Sequence, residues 1–408
     1  MDGRKLEDYR DIVGDKVIAT LFKESTPLRG KRILNVNSTF TGGGVAEMLW
    51  TTVPLMNDLG LEYGWRVIHG TPEFFPITKK WHNALQGENV MIDSHEKEIY
   101  TGINELFSRF THIKHDVMIV HDPQPLPLIS FYPKRQPWIW RCHIDLSDPN
   151  KEAWNYIKKF ILRYDNTVFS VDKFAQSDLP NQKSLIAPAI DPMTTKNMAM
   201  DPSRQQEILE DHGIDADQHL ISQVSRFDKW KDPKGVVEVF KQVKKSVDVQ
   251  LVLLGAPASD DPEGQEIFQD LQKEVQGMED VHIINKQNEL LVNAIQTQSN
   301  AIIQKSLREG FGLTVTEALW KSTPVVASDV GGIPLQVIDG ETGYLCDPKD
   351  YEDFAEKIVK IIEDESLGEE LGRNGKDHVH NNFLITRLML EWIQQIKSIL
   401  RSTKVGII

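Results

Sequence analysis

The sequence predicts an α/β fold in which two doubly wound parallel sheets face a deep cleft. Three observations predict it. The chain has 408 residues, enough for two domains at roughly 100–200 residues each. Short apolar runs alternate with longer amphipathic stretches in both halves, the pattern of parallel strands joined by crossover helices. Between the halves, residues 188–204 hold three Pro and three Met without periodicity and read as a linker. Right-handed crossovers put helices on both faces of each sheet. Ligands in such sheets lie beyond the carboxyl ends of the strands, so two facing domains predict a small-molecule site between them.

In the first half, residues 32–36 (Arg-Ile-Leu-Asn-Val) read as a buried strand. A Ser/Thr/Gly loop at 37–44 follows, then a helix at 45–59 with Val45, Met48, Leu49, Val53, Leu55, Met56 and Leu59 at helical spacing. Further strands are expected at 63–69, 116–121, 138–144, 166–171 and 185–187, with a helix from Pro149 to Arg163. In the second half, strands are expected at 219–225, 249–255, 281–284, 300–304 and 324–328. Helices are expected at 233–246 and 262–276, each with Pro in its first turn, and at 289–296, 313–321, 350–364 and 366–400. The last few residues read as a tail.

Composition narrows the function classes. The chain is 40% hydrophobic and 26% charged, ordinary for a globular protein. Its formal charge of −14 makes it a poor nucleic-acid binder. Pairs such as Lys158-Lys159 and Lys244-Lys245 read as solvated helix faces. The N-terminus has no basic segment followed by an apolar core, so no secretory signal is expected. No apolar run approaches the roughly 18 residues of a membrane helix. Cys142 and Cys346 are too far apart for a paired metal motif and fit a reducing compartment. His112 with His115, and His378 with His380, lack clustered carboxylates and read as surface residues. Asp260 and Asp261 read as a loop before a helix that starts at Pro262.

Three constellations carry chemistry. The loop 37–44 is Asn-Ser-Thr-Phe-Thr-Gly-Gly-Gly. Gly42, Gly43 and Gly44 let backbone amides approach an anion at a helix N-terminus; a plain tight turn explains them equally well. Residues 225–235 are Ser-Arg-Phe-Asp-Lys-Trp-Lys-Asp-Pro-Lys-Gly, directly after a strand. There Arg226 and Lys231 suit a diphosphate, one as a planar fork and one as a point charge. The alternative is a solvated loop paired with Asp228 and Asp232. Residues 306–320 are Ser-Leu-Arg-Glu-Gly-Phe-Gly-Leu-Thr-Val-Thr-Glu-Ala-Leu-Trp. Glu309 falls in a turn and Glu317 one turn into a helix whose N-terminus offers amides to phosphate. Both carboxylates can accept hydrogen bonds from the hydroxyls of a sugar or ribose, or they are surface glutamates at a helix start.

Glu309 and Glu317 enclose seven residues, Gly-Phe-Gly follows the first and Ala318 the second, and 324–334 reads Pro-Val-Val-Ala-Ser-Asp-Val-Gly-Gly-Ile-Pro. This closely resembles the retaining glycosyltransferases of family four, with the B-type fold. In the N-terminal half, 121–126 (His-Asp-Pro-Gln-Pro-Leu) and 140–147 (Trp-Arg-Cys-His-Ile-Asp-Leu-Ser) resemble the trehalose glycosyltransferring synthases. The resemblance implies two Rossmann-like domains, an acceptor-side one at 1–190 and a nucleotide-sugar one at 204–382. A terminal helix at 383–401 would cross back onto the first, which gives its apolar Leu388, Leu390, Trp392, Ile393 and Ile396 a surface to cover. It places Glu309 against the donor hexose near its C3 hydroxyl, and Glu317 on the ribose hydroxyls. It places Arg226 and Lys231 on the departing diphosphate, and His143 over the donor sugar. Arg308, the backbone of Gly310, Phe311, Gly312, Leu313 and Thr314, and Gly42–Gly44 would complete the donor site. Asp122, Gln124, Arg141 and Asp145 would hold the acceptor. In such enzymes the acceptor attacks from the front face and the leaving phosphate takes its proton, so no enzyme nucleophile is needed.

The reaction so implied is reversible transfer of glucose from a nucleoside diphosphate glucose, such as UDP-glucose or ADP-glucose, to free glucose, giving α,α-trehalose. No cofactor or protein-bound metal is implied, although Mg2+ can accompany the nucleotide. The expected setting is the cytoplasm, with no nucleic-acid or membrane partner, and a homodimer is left open. Three other functions fit parts of the same pattern: a trehalose phosphorylase using inorganic phosphate, a transferase with another acceptor, and a non-catalytic sugar-binding protein. The helix at 45–59 carries only acidic charges, Glu47 and Asp58, which argues against a basic membrane-facing helix. The phosphate-type motifs argue against a mere sugar binder.

Overall fold

The computed structural model describes residues 3–256 and 263–405. Asp260, Asp261 and Pro262 lie outside the described residues, as does the end of the C-terminal tail. The chain divides into two compact units, Met1–Ala189 with Ile385–Ile408, and Ile190–Leu384.

The first unit is built on six parallel strands: β1 (Arg32–Asn37), β2 (Glu62–Val67), β3 (Val117–His121), β4 (Trp138–Arg141), β5 (Asn166–Phe169) and β6 (Gln182–Leu185). Their order is β2-β1-β3-β4-β5-β6. Every residue of β3, β4 and β5 is buried. That is why β3 and β4 read as apolar runs up to their last residues, His121 and Arg141, as strands covered on both faces do, while β5 buries Asn166 and Thr167 as well. The order reverses direction between β1 and β3, so the carboxyl ends of those two strands flank the switch point where doubly wound sheets bind ligands. The expected strands at 138–144 and 166–171 stop short, at Arg141 and Phe169, because the chain turns out of the sheet just past its carboxyl edge. The strand expected at 185–187 instead spans Gln182–Leu185, a mostly exposed edge strand without an apolar signature.

Helices Asp15–Ser25, Phe74–Leu85 and Ser94–Phe110 were not predicted. The helix Ile385–Val405 completes this unit. It buries Leu388, Met389, Trp392, Ile393, Ile396 and Ile399, each contributing about 1.5–3 kcal/mol. Polar ties fix its register: Arg387 donates to the carbonyls of Ala187 and Pro188 at 2.9 and 2.8 Å, and Lys397 pairs with Glu24 at 2.5 Å.

The second unit has strands β7 (His219–Val224), β8 (Val249–Gly255), β9 (Val281–Asn285), β10 (Ala301–Gln304), β11 (Val325–Ser328) and β12 (Gly343–Cys346). They are parallel, in the order β12-β11-β10-β7-β8-β9. Here the switch point lies between β7 and β10. β12 was not predicted; Gly-Tyr-Leu-Cys is too short for a periodic signal. The stretch 366–400 is two helices, Glu365–Asn382 and Ile385–Val405. They break where the Phe383 carbonyl accepts a hydrogen bond from the Ile190 amide at 2.9 Å.

The segment read as a linker is ordered and belongs to the second unit. Asp191 and Asn197 are buried. The Asn293 side chain donates to the carbonyls of Thr195 and Met198, both at 2.8 Å, and Pro202–Glu210 is already a helix. Side-chain hydrogen bonds hold this stretch, and they leave no periodicity to read.

Candidate active site

In the second unit, the chain leaving β7 and the chain leaving β10 meet at the switch point. Arg226 stands two residues past the end of β7. Lys231 and Asp232 follow in a short turn, where Asp232 takes a left-handed φ of 43° and caps the helix Pro233–Val243 by accepting from the Gly235 amide at 3.1 Å. From the β10 side, Glu309 forms an ion pair with Lys231, and the two side chains are only 8% and 17% exposed. The Glu309 carboxylate also accepts from Ser306 Oγ at 3.1 Å and Gln304 Nε2 at 3.4 Å. Lys305, fully buried, pairs with Asp232 and lies 4.4 Å from the centre of the Tyr351 ring. Gln223 ties the two loops together: its amide donates to the Lys231 carbonyl at 2.9 Å and accepts from the Lys305 amide at 2.9 Å. A carboxylate and a lysine are thus held at one sheet edge by a second buried pair and one glutamine.

The turn 309–312 is set by glycine. Gly312 caps the helix Leu313–Trp320 with a left-handed φ of 82° and no side-chain cap; the Val315 amide turns back to the Gly312 carbonyl at 3.0 Å. Phe311 is buried against Phe383, with ring centres 5.6 Å apart. Thr314 Oγ1 donates to Gln304 at 3.0 Å. A Cβ on Gly331 would sit 1.6 Å from the Glu309 carbonyl, and one on Gly332 would sit 2.7 Å from that of Gly310. This close approach is what the Gly331-Gly332 pair serves. Gly310 lies within the turn and Arg308 beside it, half-exposed. Glu317, one turn along the helix, is 2% exposed and paired with Lys196 at 2.5 Å.

In the first unit, Gly42 has a φ of 80°, and Gly43 caps the helix Gly44–Asp58 from an extended conformation. The loop is braced by Asn37 Nδ2 on the Thr39 carbonyl at 2.8 Å and by Trp50 Nε1 on the Phe40 carbonyl at 2.8 Å. It leaves β1 beside the switch point of this sheet.

Across that switch point, β3 ends at His121 and β4 at Arg141, which face each other in register. Asp122 has a left-handed φ of 63°. Its amide donates to the Arg141 carbonyl at 2.8 Å, and its carboxyl accepts from the His143 amide at 2.7 Å. Burial pushes Asp122 up to about 7. His121 Nδ1 lies 3.1 Å from His143 Nε2, and His121 Nε2 lies 3.1 Å from the side-chain oxygen Oδ1 of Asn35. Burial pushes His121 down to about 3 and His143 well below the usual histidine range, so both rings are neutral at pH 7. Arg141 is buried, donates to Ser170 Oγ at 3.2 Å, and has no protein partner for Nη1. Burial pushes it down to about 10.

A small pocket in this unit is lined by Asn35, Tyr63, His121, Arg141, His143 and Trp392 among others. Arg141 and His143 reach it; Gln124 and Asp145 do not. Gln124 Oε1 is buried without a partner, and Asp145 accepts from the Ser147 amide at 2.9 Å. Sequence reasoning missed Asn35, Tyr63 and Trp392, which come from three separate elements. Among the described residues no group of three or more His, Cys, Asp or Glu is placed to hold a metal, and no helix is long and apolar enough to cross a membrane.

Residues 35–176 match the family model described as "Trehalose synthase, N-terminal domain", and residues 204–378 match "Glycosyl transferases group 1". A trehalose synthase of Thermococcus litoralis is 43% identical over 404 residues, covering 97% of this chain and 98% of that one. The chain belongs to the trehalose synthase family of glycosyltransferases. A trehalose phosphorylase of Pleurotus pulmonarius shares 29% identity over 430 residues, 92% of this chain and 58% of its own length. A solved structure described as trehalose-6-phosphate from E. coli bound with UDP-2-fluoro glucose matches with a TM-score of 0.74 at 15% identity. It covers 90% of this chain and 99% of that one. The two Rossmann-like units are those of the B-type glycosyltransferase fold. Within this family member, the Lys231–Glu309 pair falls in the segment shared with the wider glycosyltransferase group. His121 and His143 fall in the segment that matches the trehalose synthase N-terminal model, while Trp392 of the same pocket lies beyond both matched segments.

Proposed function

We propose that this enzyme transfers glucose, with retention, from a nucleoside diphosphate glucose to free glucose, forming and reversibly cleaving α,α-trehalose. The observation that carries the reading is the Lys231–Glu309 pair, buried at the switch point of the second unit beside the start of the helix Leu313–Trp320, which has no side-chain cap. A lysine fixed next to a helix N-terminus suits the donor diphosphate. As the bond from C1 to the phosphate oxygen breaks, negative charge grows on that oxygen, where Lys231 and Arg226 stabilise it more than in the bound donor. The acceptor hydroxyl forms the new bond on the face the phosphate leaves, and its proton passes to the departing phosphate. Glu309, with one carboxylate oxygen on Lys231, accepts from a hexose hydroxyl, and Glu317 accepts from the ribose. In the first unit, neutral His143 and the Arg141 guanidinium are the donors assigned to sugar hydroxyls. The reaction needs no protein-bound metal, and Mg2+ enters only with the nucleotide. The two buried free cysteines suit a reducing cytoplasm.

A phosphorylase is the second reading, favoured by the 29% identical relative that spans 92% of this chain. Incubation with trehalose separates the two. Added nucleoside diphosphate should yield a nucleotide glucose and glucose. Release of glucose 1-phosphate with inorganic phosphate alone would replace the first reading with the second.

A further inference from the structure

Glu317 is a nearly fully buried carboxylate, and a buried charge is costly unless it is paired. Its counter-charge comes from outside its own helix. Lys196, 15% exposed, reaches Glu317 Oε1 at 2.5 Å from the segment that joins the first unit to the second.

That segment holds Lys196 on a rigid turn. Asn293 fixes the carbonyls of Thr195 and Met198, on either side of Lys196 and Asn197. The Asn197 side chain donates to the Asp191 carbonyl at 2.9 Å. Trp320 Nε1 donates to the Asn197 carbonyl at 3.1 Å, and Lys321 Nζ donates to Asn197 Oδ1 at 3.0 Å. Lys321 also donates to Gln296 at 3.0 Å and to the Glu317 carbonyl at 3.2 Å. Lys321 thus spends its donors on an amide oxygen of each of two side chains and a backbone carbonyl, and the ion pair with the Glu317 carboxylate is made by Lys196. The turn 194–198 is therefore fastened to both helices that flank the carboxylate.

We propose that Lys196 is a positioning residue for nucleotide recognition: it fixes one oxygen of Glu317, so that the carboxylate selects a ribose over a deoxyribose. The inference rests on the assignment of Glu317 to the ribose. A charged acceptor held in one orientation discriminates strongly between a partner with the hydroxyl and one without it. Without Lys196, the Glu317 carboxylate would be free to turn toward whatever donor remained.

Calorimetry with ADP, UDP, GDP and CDP, followed by the 2′-deoxy form of whichever binds best, tests this. The parent protein should prefer the ribonucleotide by about tenfold or more. Lys196→Met should bring the two nucleotides within about threefold, and Lys196→Arg should restore the preference. Thermal melts accompany each variant, and Lys196→Gln stands in if the methionine variant fails to fold. Equal weakening of both nucleotides with the ratio intact would make Lys196 merely structural and overturn the proposal. Tighter binding of both would make Lys196 an obstruction and overturn it as well. If the parent itself shows no preference, the ribose assignment of Glu317 falls first and the role of Lys196 with it.

Discussion

At the scale of single residues, charge pairs are set against burial in two different ways. Lys231 and Glu309 are buried as ions, each the other's counter-charge. Arg226→Ala and Lys231→Ala should each lower kcat about a hundredfold, or about 3 kcal/mol, since both cations act on charge that grows in the transition state. A rise in KM for the donor with kcat unchanged would mean uniform binding instead. Glu309→Ala should cut turnover while nucleoside diphosphate still binds, and Glu317→Ala should mainly weaken nucleotide binding. Single-turnover rates and calorimetry on the two variants check the contrast. Asp122 is buried without a full counter-charge. Its folded value of about 7 lies above the ordinary 3.8, so the native state holds a proton that the unfolded chain gives up. Stability from this group is therefore lost as pH rises from about 4 through 7. Asp122→Asn keeps an acceptor for the His143 amide and removes that loss. Urea melts should show the variant gaining on its parent by up to about 4 kcal/mol over that interval. A constant difference would show that Asp122 does not titrate there. Neutral, buried His121 acts in the opposite direction, losing stability as pH falls below about 6.5, but it does so in both proteins.

At the scale of elements, turns set the site. Gly331→Ala would force its new Cβ into the Glu309 carbonyl, at a backbone φ of 58° that side chains rarely adopt. The turn carrying Glu309 must then shift. We expect turnover to fall at least tenfold while nucleotide binding at Glu317 changes little; normal turnover would show that the turn can move freely. This turn is also where the sequence was most legible. A strand, a glycine turn and a helix put Glu309 and Glu317 on one motif, and local spacing alone revealed it. The Lys231 turn was less legible, because its charges read equally as a solvated loop paired with Asp228 and Asp232, and its partner Glu309 comes from the β10 side. Lys196 was not legible, because its segment is held by Asn293, Asn197 and Lys321 and shows no periodic pattern. The pocket of the first unit was half legible. His143 and Arg141 share a motif, but Asn35, Tyr63 and Trp392 arrive from β1, β2 and the C-terminal helix. The helix Ser94–Phe110 escaped notice because it buries only Tyr100, Ile103 and Asn104 in seventeen residues. The helix Phe74–Leu85, by contrast, spaces Phe74, Ile77, Trp81 and Leu85 along one face and could have been read.

At the scale of the whole molecule, the chain passes from the first unit to the second at Ala189 and returns at Ile385. The returning helix is part of the first unit's core, which alternation alone could show only as an amphipathic stretch needing a surface. Truncation after Leu384 should abolish the cooperative melt of the first unit, since seven buried apolar side chains, Ile385 included, leave with it. Nucleoside diphosphate binding, which the proposed function assigns to the second unit, should persist. A truncated protein with the parent's full thermal transition would contradict that assignment. The central claim joins the nucleotide-binding unit to a trehalose product, and it is tested most directly by offering free glucose labelled at C1 together with ADP-, UDP- or GDP-glucose. Products are then read by chromatography and by the anomeric couplings in NMR. The product should be α,α-trehalose carrying the label in one ring, with one nucleoside diphosphate released per disaccharide and no dependence on inorganic phosphate. A disaccharide with a β linkage, or no disaccharide from any nucleotide glucose, would contradict it.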